Sequence, residues 1–273
     1  MVQIAKLDNF GILAVTGRDA HKFLQGYVTC DMDDVSDTVS AIGAICNLQG
    51  RMVTSFRILQ SDEGYLLRMA RQLVPVTMEF LKKYIVFSKA EMRDCSDELS
   101  CLGITGEIEE SPLEVGEVTR TNDGYRVRVG EADRFEAWSR DPNLLIADAG
   151  TMTDGEWRAW EISVGIAWVT GATSEEFIPQ MFAYDRIGGV AFDKGCYLGQ
   201  EIVARMQYRG ALSRHLYRGK ANKPVEISDP LQDDTGKTVG QVVAAEGETF
   251  LAVVQVKNDH VPDVPGCSLE AIA

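Results

Sequence analysis

One stretch organises this sequence: Asp193-Lys194-Gly195-Cys196-Tyr197-Leu198-Gly199-Gln200-Glu201-Ile202-Val203-Ala204-Arg205. Glycine adopts backbone angles that other residues avoid and lets a backbone approach a ligand closely, so two glycines around a cysteine predict a shaped loop. The lysine before Cys196 and the helix-like run after it both favour a thiolate, which predicts a lowered thiol pKa. The alternative is that Cys196 is a small buried hydrophobe and that Gly195 and Gly199 only form a tight turn.

The length and composition of the chain are typical of a globular protein. A chain of 273 residues predicts two domains, because one core rarely serves more than about 250–300 residues. No apolar run approaches the roughly 20 residues needed to cross a bilayer. The first residues lack the basic start and apolar core of a signal peptide, so we expect a cytoplasmic protein without membrane contact.

The cysteines and histidines do not form a recognisable metal motif. Six cysteines are scattered without a CxxC pair, and none of the three histidines stands near a cysteine at zinc-ligand spacing. With no secretion signal, this distribution predicts reduced thiols instead of a disulfide framework. We therefore expect neither a structural zinc nor a cysteine-ligated cluster.

The charge of the chain is strongly acidic but uneven. The net charge of −14 argues against a protein that holds nucleic acid by its phosphates, so no direct nucleic-acid contact is expected. Between Asp193 and Lys220, however, six basic residues stand against two acidic ones. This local excess suits an anionic small molecule or an anionic partner. The alternative is a solvated strand face.

Residues 1–210 mix strands with helices. Strands are predicted at 11–15, 40–46, 51–59, 65–69, 87–92, 99–104, 125–129 and 135–138, and residues 107–124 are predicted to be exposed connections. Helices are predicted at 21–26, with Asp19 as the N-cap, and at 73–84, with an apolar face of Val76, Phe80, Leu81 and Tyr84. This order indicates an α+β layer and not a doubly wound parallel sheet.

A third helix is signalled by Thr153 and Glu156, whose spacing fits a capping box. Trp157, Trp160, Glu161 and Val164 then fall on one face, which is more often core than a ligand platform. Beyond Gly210 the pattern contains only strands, at 212–220, 237–245 and 249–257, separated by turns. The sequence therefore predicts a small antiparallel barrel or sandwich at residues 211–273, after a first domain at 1–210.

Lys194–Glu201 resembles the KGCYxGQE signature of the YgfZ family. Further segments at matching separations support the resemblance. They are Phe177-Ile178-Pro179-Gln180 (FIPQ), Gly188-Gly189, Arg205 with Tyr208-Arg209-Gly210 (ARxxYRG), Phe23-Leu24-Gln25-Gly26 with Thr29 and Asp31 (FLQGxxTxD), and Gln49-Gly50-Arg51 (QGR). The resemblance covers the chain from about residue 15 to 257.

The resemblance implies a relative of the glycine-cleavage aminomethyltransferase. Its expected fold is an α+β folate-binding domain arranged around a central channel, followed by a C-terminal antiparallel β-barrel. The implied role is that of a monomeric, folate-binding accessory protein in iron–sulfur cluster assembly or repair, which supports tRNA modification indirectly through cluster proteins. The implied ligand is tetrahydrofolate or a derivative.

The resemblance also implies the site residues. Cys196, as a redox or acceptor thiol, and Lys194 are the expected reactive residues. The expected folate contacts are Gly195, Tyr197, Gly199, Gln200, Glu201, Arg205, Arg209 and Gln180, with the two arginines near the glutamate tail.

Two departures from aminomethyltransferases argue against aminomethyl transfer. Thr54-Ser55 stand where those enzymes carry an acidic pair, and alignment on Gly165 puts Glu161 at an arginine position and Ser163 at the position of a pterin-binding glutamate. A serine cannot accept two pterin hydrogen bonds as a carboxylate does, so a folate would be held more weakly or differently.

Two other functions remain open from the residues. One is a folate-dependent one-carbon transferase or demethylase, for which Asp31, Asp185, Asp193 and Glu201 are the available proton acceptors. The other is an interaction module in which the signature only closes a turn.

Overall fold

The computed structural model of the chain describes residues 2–106, 113–131, 133–141, 149–210, 212–257 and 260–272, without the Arg209 side chain. The elements in chain order are β1 (Gln3–Lys6), β2 (Phe10–Thr16), α1 (Ala20–Gln25), β3 (Ala41–Cys46), β4 (Met52–Ser61), β5 (Gly64–Ala70), α2 (Leu73–Ile85), β6 (Glu91–Asp94), β7 (Ser100–Thr105), β8 (Val118–Thr121), β9 (Gly124–Gly130), β10 (Arg134–Ser139), β11 (Gly150–Thr151), α3 (Asp154–Ser163), α4 (Gln200–Arg209), β12 (Arg214–Ala221), β13 (Pro230–Gln232), β14 (Thr238–Glu246), β15 (Thr249–Gln255) and β16 (Cys267–Ala271). Short 3-10 helices cover Met32–Asp34 and Pro179–Phe182. No helix in the described ranges is long and apolar enough to span a membrane.

Three sheets form the frame of the molecule. The first sheet has the strand order β3-β4-β5-β2-β6, the second β11-β1-β7-β10-β9-β8, and the third β13-β14-β15-β12-β16. Strand pairs are antiparallel except for the parallel pair β1 and β11. The predicted α+β class with antiparallel pairing is therefore confirmed.

The third sheet contains the C-terminal strands. Its edge strands β13 and β16 escaped prediction because they are only three and five residues long. No ladder joins these two edges among the described strands, so the antiparallel sheet is confirmed and its closure into a barrel stays a prediction. One buried cluster includes Leu216 and Val243 of this sheet with Phe182 and Val203, so the core continues past residue 210. The division into domains at 1–210 and 211–273 stays a prediction.

The α2 helix forms where predicted, and its predicted apolar face is confirmed except at Val76, because Leu81 is buried and Phe80 and Tyr84 pack against the same core cluster. Leu73, Val74, Thr77 and Leu81 face the core, whereas Val76 is 45% exposed. The strand predicted at 87–92 begins only at Glu91, and Phe87 is 91% exposed in the turn after the helix. The apolar residues around position 87 favoured a strand in the sequence, but they lie in the connection between α2 and β6.

The N-caps predicted for α1 and α3 have different outcomes. Thr153 Oγ1 accepts from Glu156 N at 3.1 Å and Glu156 Oε2 accepts from Thr153 N at 2.8 Å, so the capping box is confirmed. Asp19 precedes α1 as predicted but does not cap it, because its Oδ2 accepts from Lys89 N instead. Strand β8 corrects the prediction of exposed connections for the described part of segment 107–124, whereas residues 107–112 lie outside the described ranges.

Candidate functional site

The signature loop, residues 193–199, is anchored on the N-terminal side of Cys196 by Lys194. The Lys194 side chain is buried, and its Nζ donates to the carbonyl oxygens of Val28 at 2.9 Å and Cys30 at 2.6 Å. Burial lowers the pKa of Lys194, and the neighbouring Cys30 and Asp31 oppose that effect. No hydrogen bond joins this ammonium to the Cys196 thiol in the described structure, so the lysine predicted to be reactive holds segment 28–30 in place.

The C-terminal side of the loop is anchored as firmly. Tyr197 is buried, its backbone N–H donates to Gln200 Oε1 at 3.2 Å, and Leu198 N donates to the carbonyl of Gly26 at 3.1 Å. Burial raises the pKa of the Tyr197 phenol. The loop is therefore tied to the Phe23–Gly26 segment that shared in the sequence resemblance.

The two glycines of the loop have different roles. Gly199 has φ +83°, and a Cβ there would lie 2.5 Å from the Asn47 carbonyl oxygen, so only glycine fits. Gly195 has no positive φ, and a Cβ there would meet no atom within 4 Å. The tight-turn interpretation holds for Gly199, whereas no residue in the described ranges requires glycine at 195.

Cys196 is exposed at the apex of this anchored loop. The alternative of a small buried hydrophobe is therefore wrong. The helix predicted to follow is α4, which begins at Gln200.

Helix α4 carries the remaining signature residues on its surface. Glu201 and Arg205 are exposed, and their side chains make no hydrogen bond or ion pair within the described residues. Arg209 ends the helix, and its side chain lies outside the described part of the chain. Gln180 contacts the buried side of α4. The residue is buried, and its Nε2 donates to the Val203 carbonyl at 2.7 Å.

The N-terminal motif, residues 23–26 with Thr29 and Asp31, positions the carbonyl groups that accept hydrogen bonds from Lys194. Thr29 Oγ1 donates to the Gly189 carbonyl at 2.6 Å and accepts from Ala44 N at 2.8 Å. Gln25 Nε2 donates to Asp31 Oδ1 at 2.7 Å. A hydrogen bond from Asp33 N is the main cause that lowers the pKa of Asp31, so this candidate proton acceptor has a structural role.

A cavity of about 320 Å³, called the central cavity below, lies between the first sheet, the third sheet and α3. Its walls include Phe10, Gln72, Arg158, Glu161, Trp168 and Val243. None of the predicted folate contacts whose side chains the structure describes lines this cavity. The structure therefore separates the exposed loop that carries Cys196 from the central cavity.

Glu161 is the titratable group of the central cavity. The residue is 5% exposed, and its Oε1 accepts from Trp168 Nε1 at 2.8 Å. Burial raises the pKa of Glu161 to about 7, although Arg68 and the Trp168 hydrogen bond act in the opposite direction. The sequence reasoning missed Glu161 as a site residue, although the helical spacing put it on the buried face of α3, and a carboxylate on such a face is the signal that could have found it.

A buried ion pair between Arg68 and Glu136 packs against Trp168. Arg68 Nε donates to Glu136 Oε2 at 3.1 Å and Arg68 Nη2 to Glu136 Oε1 at 2.5 Å. The Arg68 guanidinium lies 4.0 Å from the ring centroids of both Phe10 and Trp168. These contacts fix two aromatic walls of the cavity.

Hydrogen bonds within the protein involve the serines that stand at the positions of the aminomethyltransferase acids, Ser55 and Ser163. Thr54 and Ser55 are fully buried, and Ser55 Oγ accepts from Val169 N at 2.8 Å. Ser163 Oγ donates to the Trp160 carbonyl at 2.7 Å and is not among the cavity walls. The cavity carboxylate is therefore supplied by Glu161 and not by residue 163.

The arrangement of the sheets defines an aminomethyltransferase-like fold. The chain superposes on the glycine cleavage system aminomethyltransferase T from Bartonella henselae with a TM-score of 0.77, over 99% of this chain and 85% of that one, at 14% sequence identity. No protein-family model matches the chain.

Sequence relatives narrow the class to one family. The tRNA-modifying protein YgfZ of Klebsiella pneumoniae (strain 342) is 32% identical over 283 residues, covering 94% of this chain and 86% of the relative. The protein of the same name from Photobacterium profundum is 31% identical, covering 94% and 84%. The chain belongs to the YgfZ family, as its signature predicted.

Proposed function

We propose that this protein is a folate-binding accessory protein of iron–sulfur cluster assembly or repair, which supports tRNA modification indirectly. The observation that carries the proposal is the buried Glu161 carboxylate in an aromatic-walled cavity, apart from the exposed Cys196. In this proposal the cavity holds tetrahydrofolate or a derivative, and Cys196 is a redox or acceptor thiol that faces a cluster protein.

The cavity residues fit the pterin end of a folate. A pterin presents neighbouring N–H donors that a carboxylate accepts in pairs, and Glu161 is the carboxylate in these walls. Phe10 and Trp168, whose rings meet edge to face with centroids 6.2 Å apart, give the cavity aromatic walls that a heterocycle can contact. Tetrahydrofolate would supply one-carbon units when bound, and the chain's own groups bind and orient it.

The predicted folate contacts on the signature loop and α4 define an alternative binding site for the folate, outside the central cavity. The exposed Arg205, without an ion-pair partner in the described residues, is available to an anionic folate tail or an anionic partner surface. Gly195 leaves open space beside its backbone, which would let another molecule approach closely.

A calorimetric titration with tetrahydrofolate separates these two arrangements. We expect Glu161→Gln to weaken binding about tenfold or more, because hydrogen bonds to a charged group are worth about 1.5–3 kcal/mol. Arg205→Ala is expected to bind like the unmodified protein. The reverse pattern would place the folate at the signature, and no binding by any of the three proteins would remove folate from the proposal.

The role of the thiol is tested in a strain whose cluster-containing enzymes depend on this protein. We expect Cys196→Ala to lower their activity, whereas Cys267→Ala, at a partly buried thiol of β16, leaves it unchanged. Equal activity of both variants would dismiss the role of Cys196.

A folate-dependent one-carbon transferase or demethylase is the second candidate, and Glu161 is the observation in its favour. A carboxyl with a pKa of about 7 can act as a general base near neutral pH. None of Asp31, Asp185, Asp193 and Glu201 lines the central cavity. Incubation with tetrahydrofolate and a glycine-derived aminomethyl donor, or with a methylated amine and an added two-electron acceptor, that yields no methylene-folate would exclude this activity.

A further inference from the structure

Trp168 is the hydrogen-bond donor that the described part of the chain offers to the Glu161 carboxylate. Its Nε1 donates to Glu161 Oε1 at 2.8 Å. The Nε1 of Trp157, one turn before Glu161 on α3, has no hydrogen-bond partner among the described residues. Glu161 Oε2 accepts no hydrogen bond there either, and it is not among the sealed unpaired atoms, so it is the carboxylate oxygen that opens to the central cavity.

Trp168 is itself held in one place. Its indole lines the cavity and is 7% exposed, and the Arg68 guanidinium lies 4.0 Å from the ring centroid. Arg68 in turn is fixed by two hydrogen bonds to Glu136, at 3.1 and 2.5 Å. A buried chain of contacts therefore runs from Glu136 through Arg68 and Trp168 to Glu161, and it sets the direction in which the Glu161 carboxylate points.

The indole N–H also favours the ionised form of Glu161, because a hydrogen bond to a charged acceptor stabilises that form. Burial raises the pKa of Glu161 to about 7, and the Trp168 hydrogen bond keeps it from rising further. The other charged or titratable groups that face this carboxylate are Arg68 on β5, Glu136 on β10, Arg57 on β4, Tyr184 after the second 3-10 helix and Arg158 on α3.

These neighbours keep one charge state near neutral pH. Burial raises the pKa of Tyr184, and Arg68 and Arg57 lower the pKa of Glu136 against the opposing effect of burial. The arginines stay charged. Glu161 is therefore the group in this set that titrates near neutral pH.

We propose that Trp168 is the positioning residue of the central cavity: its indole N–H holds Glu161 Oε1, which leaves Oε2 to accept an N–H from the ligand, so the ligand binds the ionised carboxylate. Where the carboxyl is protonated, binding releases that proton to the solvent. A ligand with carbonyl oxygens on this edge would meet the carboxylate charge, so the cavity selects a heterocycle with neighbouring N–H donors. The inference rests on the folate proposed for this cavity.

The test is the pH profile of tetrahydrofolate binding to the full chain, measured by calorimetry without oxygen from about pH 5.5 to 8.5, a range that brackets the Glu161 pKa of about 7. The affinity of the unmodified protein should rise with pH and level off once the carboxylate is ionised. Trp168→Phe keeps an aromatic wall and removes the N–H. We expect this variant to move the midpoint of the rise to higher pH and to weaken binding at pH 7 about tenfold.

Trp160→Phe is the matched control, because Trp160 is a partly buried tryptophan of α3 that does not line the cavity. Its profile should equal that of the unmodified protein. A wall that only fills space would lower the affinity equally at every pH, so an unmoved midpoint in Trp168→Phe would overturn the inference and leave the folate function standing. No binding to the unmodified protein would remove the folate from this cavity, and the inference with it.

Two further measurements serve if Trp168→Phe does not fold by circular dichroism. In the ligand-free protein, the indole N–H signal of Trp168 in ¹H–¹⁵N NMR should shift with pH around 7, and Glu161→Gln should abolish that shift. At pH 7, 6,7-dimethyllumazine, which has a carbonyl oxygen in place of the amino group of 6,7-dimethylpterin, should bind about tenfold more weakly than the pterin. An indole signal that does not respond to pH, or equal binding of the two heterocycles, would each contradict the assignment of Trp168.

Discussion

Gly50 and Gly199 meet backbone against backbone, each with a positive φ, of +71° and +83°. A Cβ on Gly199 would lie 3.3 Å from the Gly50 Cα, and a Cβ on Gly50 would lie 2.9 Å from the Ile202 Cβ. The β3–β4 turn thus fits directly under the start of α4. This contact joins two distant segments of the signature pattern and sets where Cys196 is displayed.

The first prediction compares the two signature glycines. Gly199→Ala should lower the free energy of unfolding by about 2–4 kcal/mol, since it combines left-handed strain with a backbone clash. Gly195→Ala should change it by less than about 0.5 kcal/mol, because its Cβ enters open space. Urea unfolding measures both. If Gly195→Ala stays stable yet abolishes function, the open space at residue 195 is occupied by a partner or ligand; equal destabilisation would contradict the geometry.

The second prediction concerns Lys194. Lys194→Met removes both donors from the Val28 and Cys30 carbonyls and should cost about 2–3 kcal/mol of stability. Lys220→Met, at an exposed lysine of β12, is the matched control with little expected effect. A variant at 194 with unchanged stability but slower thiol labelling would show instead that the lysine acts on Cys196.

The third prediction concerns thiol reactivity. Cys196 should react within the first phase of native labelling by an aromatic disulfide reagent, because it is exposed. Burial raises the pKa of Cys30 and Cys101 to about 12, so these thiols should react only after unfolding. Cys196→Ala should lose the fast phase. Its persistence in that variant would mean that another thiol opens to solvent.

The fourth prediction follows from Glu161. Its folded pKa of about 7 lies above the ordinary 4.5, so its contribution to stability is complete below about pH 4.5 and is lost as pH rises through 7. At about 1.4 kcal/mol per pH unit, the whole change is worth roughly 3 kcal/mol. Glu161→Gln should therefore flatten the dependence of unfolding free energy on pH between 5 and 8. Parallel pH curves for the two proteins would show that Glu161 is not desolvated.

Local signals in the sequence predicted local structure well. The capping box at Thr153, the helix after Gly199 and the turn at Gly50 each follow from residues within a few positions. Such patterns act through short-range hydrogen bonds and backbone angles, so neighbours in sequence suffice to predict them.

Non-local contacts account for what the sequence did not predict. In the sequence, the lysine next to Cys196 predicted activation of the thiol. In the structure Lys194 donates instead to two carbonyl groups that lie 166 and 164 residues earlier in the chain, a distance at which the sequence pattern gives no signal. Glu161 faces a cavity that exists only after the first sheet, the third sheet and α3 assemble, whereas in the sequence its alignment position marked it only as the replacement of an arginine. The predicted folate contacts on α4 illustrate the same limit, because the family signature marks importance without saying which surface it faces.

The fifth prediction concerns the ion pair of Arg68 and Glu136 behind the cavity. Arg68→Met should cost about 3–5 kcal/mol, because it leaves the buried Glu136 carboxylate with Arg57 at 3.9 Å as its cation and the Trp138 Nε1 hydrogen bond at 3.1 Å. Arg71→Met is the matched control, since Arg71 pairs with the exposed Asp97 and should cost less than about 1 kcal/mol.

A double-mutant cycle isolates the pair itself. Adding Glu136→Gln to Arg68→Met removes the unpaired charge, so the double variant should recover part of the lost stability in urea unfolding. Because the Arg68 guanidinium also packs between the rings of Phe10 and Trp168, the recovered variant should still bind folate more weakly. Additive losses in the cycle would mean that Arg57 neutralises Glu136 alone, and full folate affinity in the double variant would mean that the aromatic walls hold without Arg68.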